Sequence, residues 1–116
     1  MCHVLIIQDE PLVAMSIEDL LALHGATSFA FASTQQEAVA AAMAHKPSVI
    51  TSDVKLLEGA GPAAGAQIHE RMGPIRITFI TGTPELCTPC NPPGSILEKP
   101  FTDHDLRAAF RDAIAA

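Results

Sequence analysis

The run Val49-Ile50-Thr51-Ser52-Asp53 is short, mostly apolar, and closed by a single carboxylate. A segment of that length without regular polar alternation reads as a strand buried on both faces, and such strands belong to parallel sheets covered by helices. Open α/β sheets bind their ligands beyond the carboxyl ends of the strands. Asp53 is therefore expected at the edge of such a crevice and is the first candidate for chemistry.

The remainder of the chain fits that architecture. Val4–Ile7 forms a first strand with Asp9 and Glu10 beyond its carboxyl end. Pro11 suits the first turn of a helix, and Leu12, Met15, Ile17, Leu20, Leu21 and Leu23 follow at roughly helical spacing until Gly25 stops it. Thr27–Ala32 is a weaker second strand. Thr34-Gln35-Gln36-Glu37 offers a capping box for an alanine-rich helix ending before Pro47. Ser48–Ser52 is the third strand, and Pro62 opens a helix running through Met72. Ile75–Ile80 and Ser95–Glu98 are the fourth and fifth strands, delivering Thr81 and Lys99. Thr102 caps a last helix with Leu106, Ala109, Phe110, Ala113 and Ile114 on one stripe. Strand and helix alternate throughout, which implies right-handed crossovers and helices on both faces of the sheet. The segment between Thr81 and the fifth strand carries Pro84, Pro89, Pro92 and Pro93, so its helix is expected to be one or two turns or absent.

Composition narrows the function. The 116 residues suit one domain, and a 48% hydrophobic content with five Phe and no Tyr or Trp implies a core of Val, Ile, Leu and Ala. A net charge of −6 and the lack of any Lys/Arg run argue against direct contact with nucleic acid, which requires basic clusters. The N-terminal apolar run is too short for a signal peptide or a membrane span. Three cysteines, an odd number, fit a reducing compartment, so a cytoplasmic protein is expected.

Four strands end in polar groups: Gln8-Asp9-Glu10, Asp53, Thr81 and Lys99. A lone carboxylate at a strand end is ordinarily a turn former or helix cap. In a parallel sheet, however, all these ends share one edge, so the four groups converge. Clustered carboxylates repel one another, and Mg²⁺ relieves that repulsion while accepting phosphate oxygens as further ligands. Such a cation together with Lys99 would neutralise an incoming phosphoryl group, Thr81 would donate to one of its oxygens, and Asp53 would act as nucleophile.

The motifs Ile-Ile-Gln-Asp-Glu-Pro, Ile-Thr-Ser-Asp-Val, Thr-Gly and Leu-Glu-Lys-Pro-Phe, in this order, resemble the receiver domain of two-component response regulators, and the resemblance covers essentially the whole chain. A narrower likeness is to the alphaproteobacterial receivers associated with general stress signalling. The resemblance implies a flavodoxin-like (βα)5 fold, a doubly wound five-stranded sheet in the order 2-1-3-4-5. It implies Asp53 as phosphoacceptor, Thr81 as switch hydroxyl and Lys99 as phosphate-binding lysine. Mg²⁺ would be held by Asp9, Asp53 and the backbone carbonyl of Lys55, and the bond before Pro100 would be cis. The implied partners are a histidine kinase or phosphotransferase upstream and a protein partner downstream, with the chain a monomer or weak dimer. The domain would be a phosphoacceptor with slow self-catalysed transfer and hydrolysis rather than an enzyme acting on a separate substrate.

Three positions depart from the family pattern. Gln8 stands where receivers usually carry an acid, Ile96 where they usually carry an aromatic ring, and the interval from Thr81 to Lys99 is compressed. These departures make a phosphorylation-independent pseudo-receiver the main alternative. A flavin binder of the same topology is disfavoured by the acidic strand ends. Cys87-Thr88-Pro89-Cys90 lacks a second cysteine pair, so incidental loop cysteines are expected there rather than a redox or zinc site. His24, His45 and His69 are expected near helix ends as solvated or dipole-complementing residues, and Glu10 is expected to face solvent or support the site.

Overall fold

The computed structural model describes residues 2–56, 58–82 and 95–115. The elements are β1 (His3–Ile7), α1 (Pro11–Leu23), β2 (Ser28–Ala32), α2 (Gln35–Ala44), β3 (Val49–Asp53), α3 (Gly61–Met72), β4 (Arg76–Thr81), β5 (Ser95–Glu98) and α4 (Asp103–Ala115). All strand pairings are parallel, and the sheet has the expected order β2-β1-β3-β4-β5. The expected short helix near Pro84–Cys90, with Cys87 and Cys90, lies outside the described residues.

The alternation of side chains along the central strands builds two cores. Leu5, Ile7, Ile50, Ile77 and Phe79 face one side, where Ala38 and Ala42 of α2 and Ala64 and Ile68 of α3 cover them. Val4, Ile6, Val49 and Ile80 face the other, under Ile17 and Leu21 of α1 and Leu106 and Phe110 of α4. Each buried Leu, Ile or Phe contributes about 1.5–3 kcal/mol relative to exposure. The alanines of α2 and α3 let those helices sit close to the sheet, so the large strand side chains do the filling.

Helix starts follow local chemistry. Thr34 Oγ1 accepts the Glu37 N–H at 3.1 Å, while the Glu37 carboxylate accepts the Ser33 N–H at 2.8 Å, one residue earlier than a standard capping box. At α4, Thr102 Oγ1 accepts from Asp105 N–H at 3.0 Å and Asp105 Oδ2 accepts from Thr102 N–H at 3.3 Å. Pro11 occupies the first turn of α1, where its missing N–H costs nothing.

The structure corrects several finer expectations. On α1 the buried residues are Ala14, Ile17 and Leu21, whereas Leu12, Met15 and Leu23 are exposed. Ile114 likewise leaves the α4 stripe and is exposed. Leucine and isoleucine mark a helix without fixing which side of it is covered. His69 is not merely solvated, because its Nε2 lies 2.8 Å from the Ile75 carbonyl and ties the end of α3 to the start of β4. His45 is exposed, but its ring stacks on that of His3 with centroids 3.7 Å apart and planes 10° from parallel.

His3 is buried, and its Nδ1 lies 2.8 Å from Ser28 Oγ. Burial, and then the neighbouring His45, lower its pKa from the ordinary 6.5. The unfolded chain therefore takes up this proton more readily than the folded one. The His3 contribution to stability is present above pH 6.5 and is lost as the pH falls through that value toward the lower folded pKa. Between about pH 7.5 and pH 5, the denaturation midpoint of wild type is expected to fall more steeply than that of His3→Phe. Parallel slopes in urea titrations of the two proteins would refute this assignment.

Candidate functional site

Adjacent strands keep their ends level. Ile7 pairs with Ser52, Asp53 with Ile80, and Thr81 with Glu98, so the residues just beyond β1 and β5 meet the last residues of β3 and β4 at one sheet edge. The convergence expected from the sequence is thereby realised for Asp9, Asp53, Thr81 and Lys99.

Carboxylate oxygens of Asp9, Glu10 and Asp53 all lie within 4.8 Å of one another. Lys99 Nζ donates to Asp53 Oδ2 at 3.2 Å and stands 3.4 Å from Glu10 Oε1. The other Asp53 oxygen, Oδ1, accepts the Val54 N–H at 2.8 Å. The Asp53 side chain is only 12% exposed, against 26% for Lys99 and 60% for Glu10, so the Asp53–Lys99 pair is the least solvent-screened interaction of the group. Three carboxylates against one ammonium leave excess negative charge. A hard divalent cation would offset it, and an oxygen-only donor set suits Mg²⁺.

The surroundings hold these groups in place. The Lys99 backbone N–H donates to the Thr81 carbonyl at 2.8 Å, which ties the lysine to the end of β4, and the Lys99–Pro100 peptide is cis as expected. Thr81 itself is buried. Lys55 lies in the loop after β3, exposed, in an antiparallel bridge with Ala60. Gly61 closes that loop by donating its N–H to the Val54 carbonyl at 2.9 Å. A Cβ on Gly61 would overlap the Asp53 carbonyl oxygen and Ser52 Oγ, so the start of α3 sits directly against the backbone of the candidate nucleophile.

Three contributors were underread in the sequence. Glu10, expected to face solvent or lend support, is exposed yet also pairs with Lys99. Gln8, grouped in the sequence with the polar strand ends, is buried, and its Oε1 accepts the Glu10 N–H at 3.3 Å. Gly61 carried a signal in Gly-Pro at a helix start, but its reason, contact with Asp53, is tertiary.

With this geometry in place, comparison with known proteins decides the family. A model of the response regulator receiver domain matches residues 4–111. The chain belongs to that family. Among curated relatives, this receiver is 32% identical over 115 residues to the phyllosphere-induced regulator PhyR of Methylorubrum extorquens, covering 97% of this chain and 43% of PhyR. It is 32% identical over 116 residues to the transcriptional regulatory protein PdtaR of Mycobacterium tuberculosis, covering 97% of this chain and 57% of PdtaR. The receiver thus spans about half the length of the curated relatives it matches. The solution structure of the PhyR receiver domain from Erythrobacter litoralis shares the fold with a TM-score of 0.88 at 30% identity, covering 98% of this chain and 90% of that one.

Gly61→Ala is expected to destabilise the receiver by roughly 2–4 kcal/mol, because backbone rather than a mobile side chain would have to move. Thermal unfolding of the variant checks this, and a melting temperature equal to wild type would show that the α3 start yields freely.

Proposed function

We propose that this receiver accepts a phosphoryl group on Asp53 from a histidine kinase or phosphotransferase in a Mg²⁺-dependent reaction, and that it signals through a partner protein or serves as a phosphate sink. The observation that carries the reading is the meeting of Asp9, Glu10 and Asp53 with Lys99 at one sheet edge. A carboxylate oxygen of Asp53 attacks phosphorus, the bond from phosphorus to the donor's imidazole nitrogen breaks, and that nitrogen leaves with the electron pair. Lys99 neutralises charge on the transferring group, and the Thr81 hydroxyl donates to one of its oxygens. Asp9, Asp53 and the Lys55 carbonyl would hold the Mg²⁺, which when bound supplies further charge neutralisation at the phosphoryl oxygens. Hydrolysis of the acyl phosphate by water is slow and self-catalysed, so the domain is a phosphoacceptor rather than an enzyme with a separate substrate.

Phosphorylation adds about −1.5 to −2 charges at neutral pH. In this reading the new charge draws Lys99 and Thr81 inward. Because Lys99 N–H is bonded to the Thr81 carbonyl, the ends of β4 and β5 move as one piece. The expected setting is the cytoplasm, the expected state a monomer or weak dimer, and nucleic acid is not expected as a direct ligand; no helix among the described residues is long and apolar enough to cross a membrane. Gln8 favours a second reading, a pseudo-receiver that recognises its partner without phosphorylation, since it removes one acid from the site.

Two measurements test the proposal. Intact mass after incubation with acetyl phosphate and Mg²⁺ is expected to show one phosphoryl adduct on wild type and none on Asp53→Asn; no adduct on either folded protein would favour the pseudo-receiver. Mg²⁺ at a hundredfold excess over its dissociation constant is expected to stabilise wild type by about 2.7 kcal/mol, and Asp9→Asn is expected to lose most of that gain. An undiminished Mg²⁺ effect in Asp9→Asn would remove Asp9 from the metal site.

A further inference from the structure

Gln8 leaves a buried donor unexplained. The residue is 5% exposed, and its Nε2 makes no hydrogen bond among the described residues. A buried polar group without a partner carries a desolvation cost, and in a native protein it calls for a physical reason, of which a role at a site is one. The orientation of the amide is fixed by its other end. Oε1 accepts the Glu10 N–H, and the reversed amide would set two donors against each other. What Gln8 offers elsewhere is therefore an N–H₂ group and not an oxygen.

Register places that donor beside the acceptor aspartate. β1 and β3 are parallel neighbours with Ile7 opposite Ser52, so the next step of the same register sets Gln8 opposite Asp53. Side chains alternate along both strands, and Ile7 faces the α2–α3 core, so Gln8 points to the same face as Asp53. Adjacent strands are about 4.8 Å apart, within reach of a glutamine side chain. The neighbouring groups are anionic, and the atom to be completed is a donor. Its chemical match is an anionic oxygen.

Building on the phosphoacceptor reading, we propose that Gln8 is a phosphoryl-binding residue: its carboxamide N–H₂ donates to an oxygen of the phosphoryl group carried by Asp53. An acid at this position would accept hydrogen bonds from metal-bound water and add negative charge. Gln8 instead contributes a neutral donor, so this receiver transfers part of the stabilisation of the phosphoryl group from the metal to the protein. Mg²⁺ affinity is then set by Asp9, Asp53 and the Lys55 carbonyl, and Gln8 acts on the anion.

The test uses the full chain labelled with ¹⁵N, with the Gln8 side-chain amide pair assigned by its loss in Gln8→Leu. Addition of beryllofluoride, a phosphoryl mimic, with Mg²⁺ is expected to shift the Gln8 pair and slow its exchange with water, while Mg²⁺ alone leaves it nearly unmoved. Gln8→Leu is expected to form the acetyl phosphate adduct about tenfold more slowly at saturating Mg²⁺, the loss expected for one hydrogen bond to a charged group, with Mg²⁺ affinity within about twofold of wild type. A Gln8 pair that stays in place when beryllofluoride binds wild type would overturn the proposal even if Gln8→Leu failed to fold. An unchanged adduct rate in a folded Gln8→Leu would do the same. Absence of both adduct and beryllofluoride binding on wild type would instead overturn the phosphoacceptor reading on which this one rests.

Discussion

A strand covered on both faces has no solvent-facing side, so any chemistry it carries is confined to its ends. β1, β3 and β4 are in that position, sandwiched between α2 and α3 on one face and α1 and α4 on the other. Their interior residues serve the two cores, and polar function collects where the strands stop. Parallel register then does the assembly. Once Ile7, Ser52 and Phe79 are side by side, Asp9, Asp53 and Thr81 are drawn to one edge without direct sequence proximity. The same covering that stabilises the sheet makes the site.

Much of this was legible in the sequence because it rests on local pattern. The apolar run before Asp53, the Thr34 cap and the prolines at helix starts each report a short-range preference, and the strand order follows from the family they spell out. What the sequence did not disclose depends on contacts across the fold. Nothing near Gly61 announces that its α-carbon rests on the Asp53 carbonyl. Nothing near His3 announces a stack with His45, since the two are joined only when β1 and the end of α2 meet at the opposite edge of the sheet. Glu10 was expected to face solvent or support the site, whereas its pairing with Lys99 depends on β5 arriving three strands away from β1.

The electrostatics of the edge follow from a mismatch in number. Among the described residues, Asp9, Glu10 and Asp53 share one cation, Lys99. Asp53 and Glu10 compete for that ammonium, and the more buried Asp53 gains more from each ångström of approach because less water screens it. An added cation would relieve the repulsion and free Lys99 from balancing the carboxylates. The resting pair is thus a store of charge complementarity that an anionic group on Asp53 can draw upon.

Replacing an acid by Gln8 alters that balance in a direction that single-residue reasoning misjudges. Read as a lost metal contact, the change weakens the site. Read with its burial and bonding, it lowers the negative charge facing an incoming anion and supplies a donor whose hydrogen bond is still unmade. The two effects oppose each other only if the metal carries all of the stabilisation. A hydrogen bond to a charged oxygen contributes about 1.5–3 kcal/mol. In the proposed phosphoacceptor reading, Gln8 therefore exchanges one form of phosphoryl stabilisation for another and leaves Asp53, Lys99 and the strand ends to do the rest.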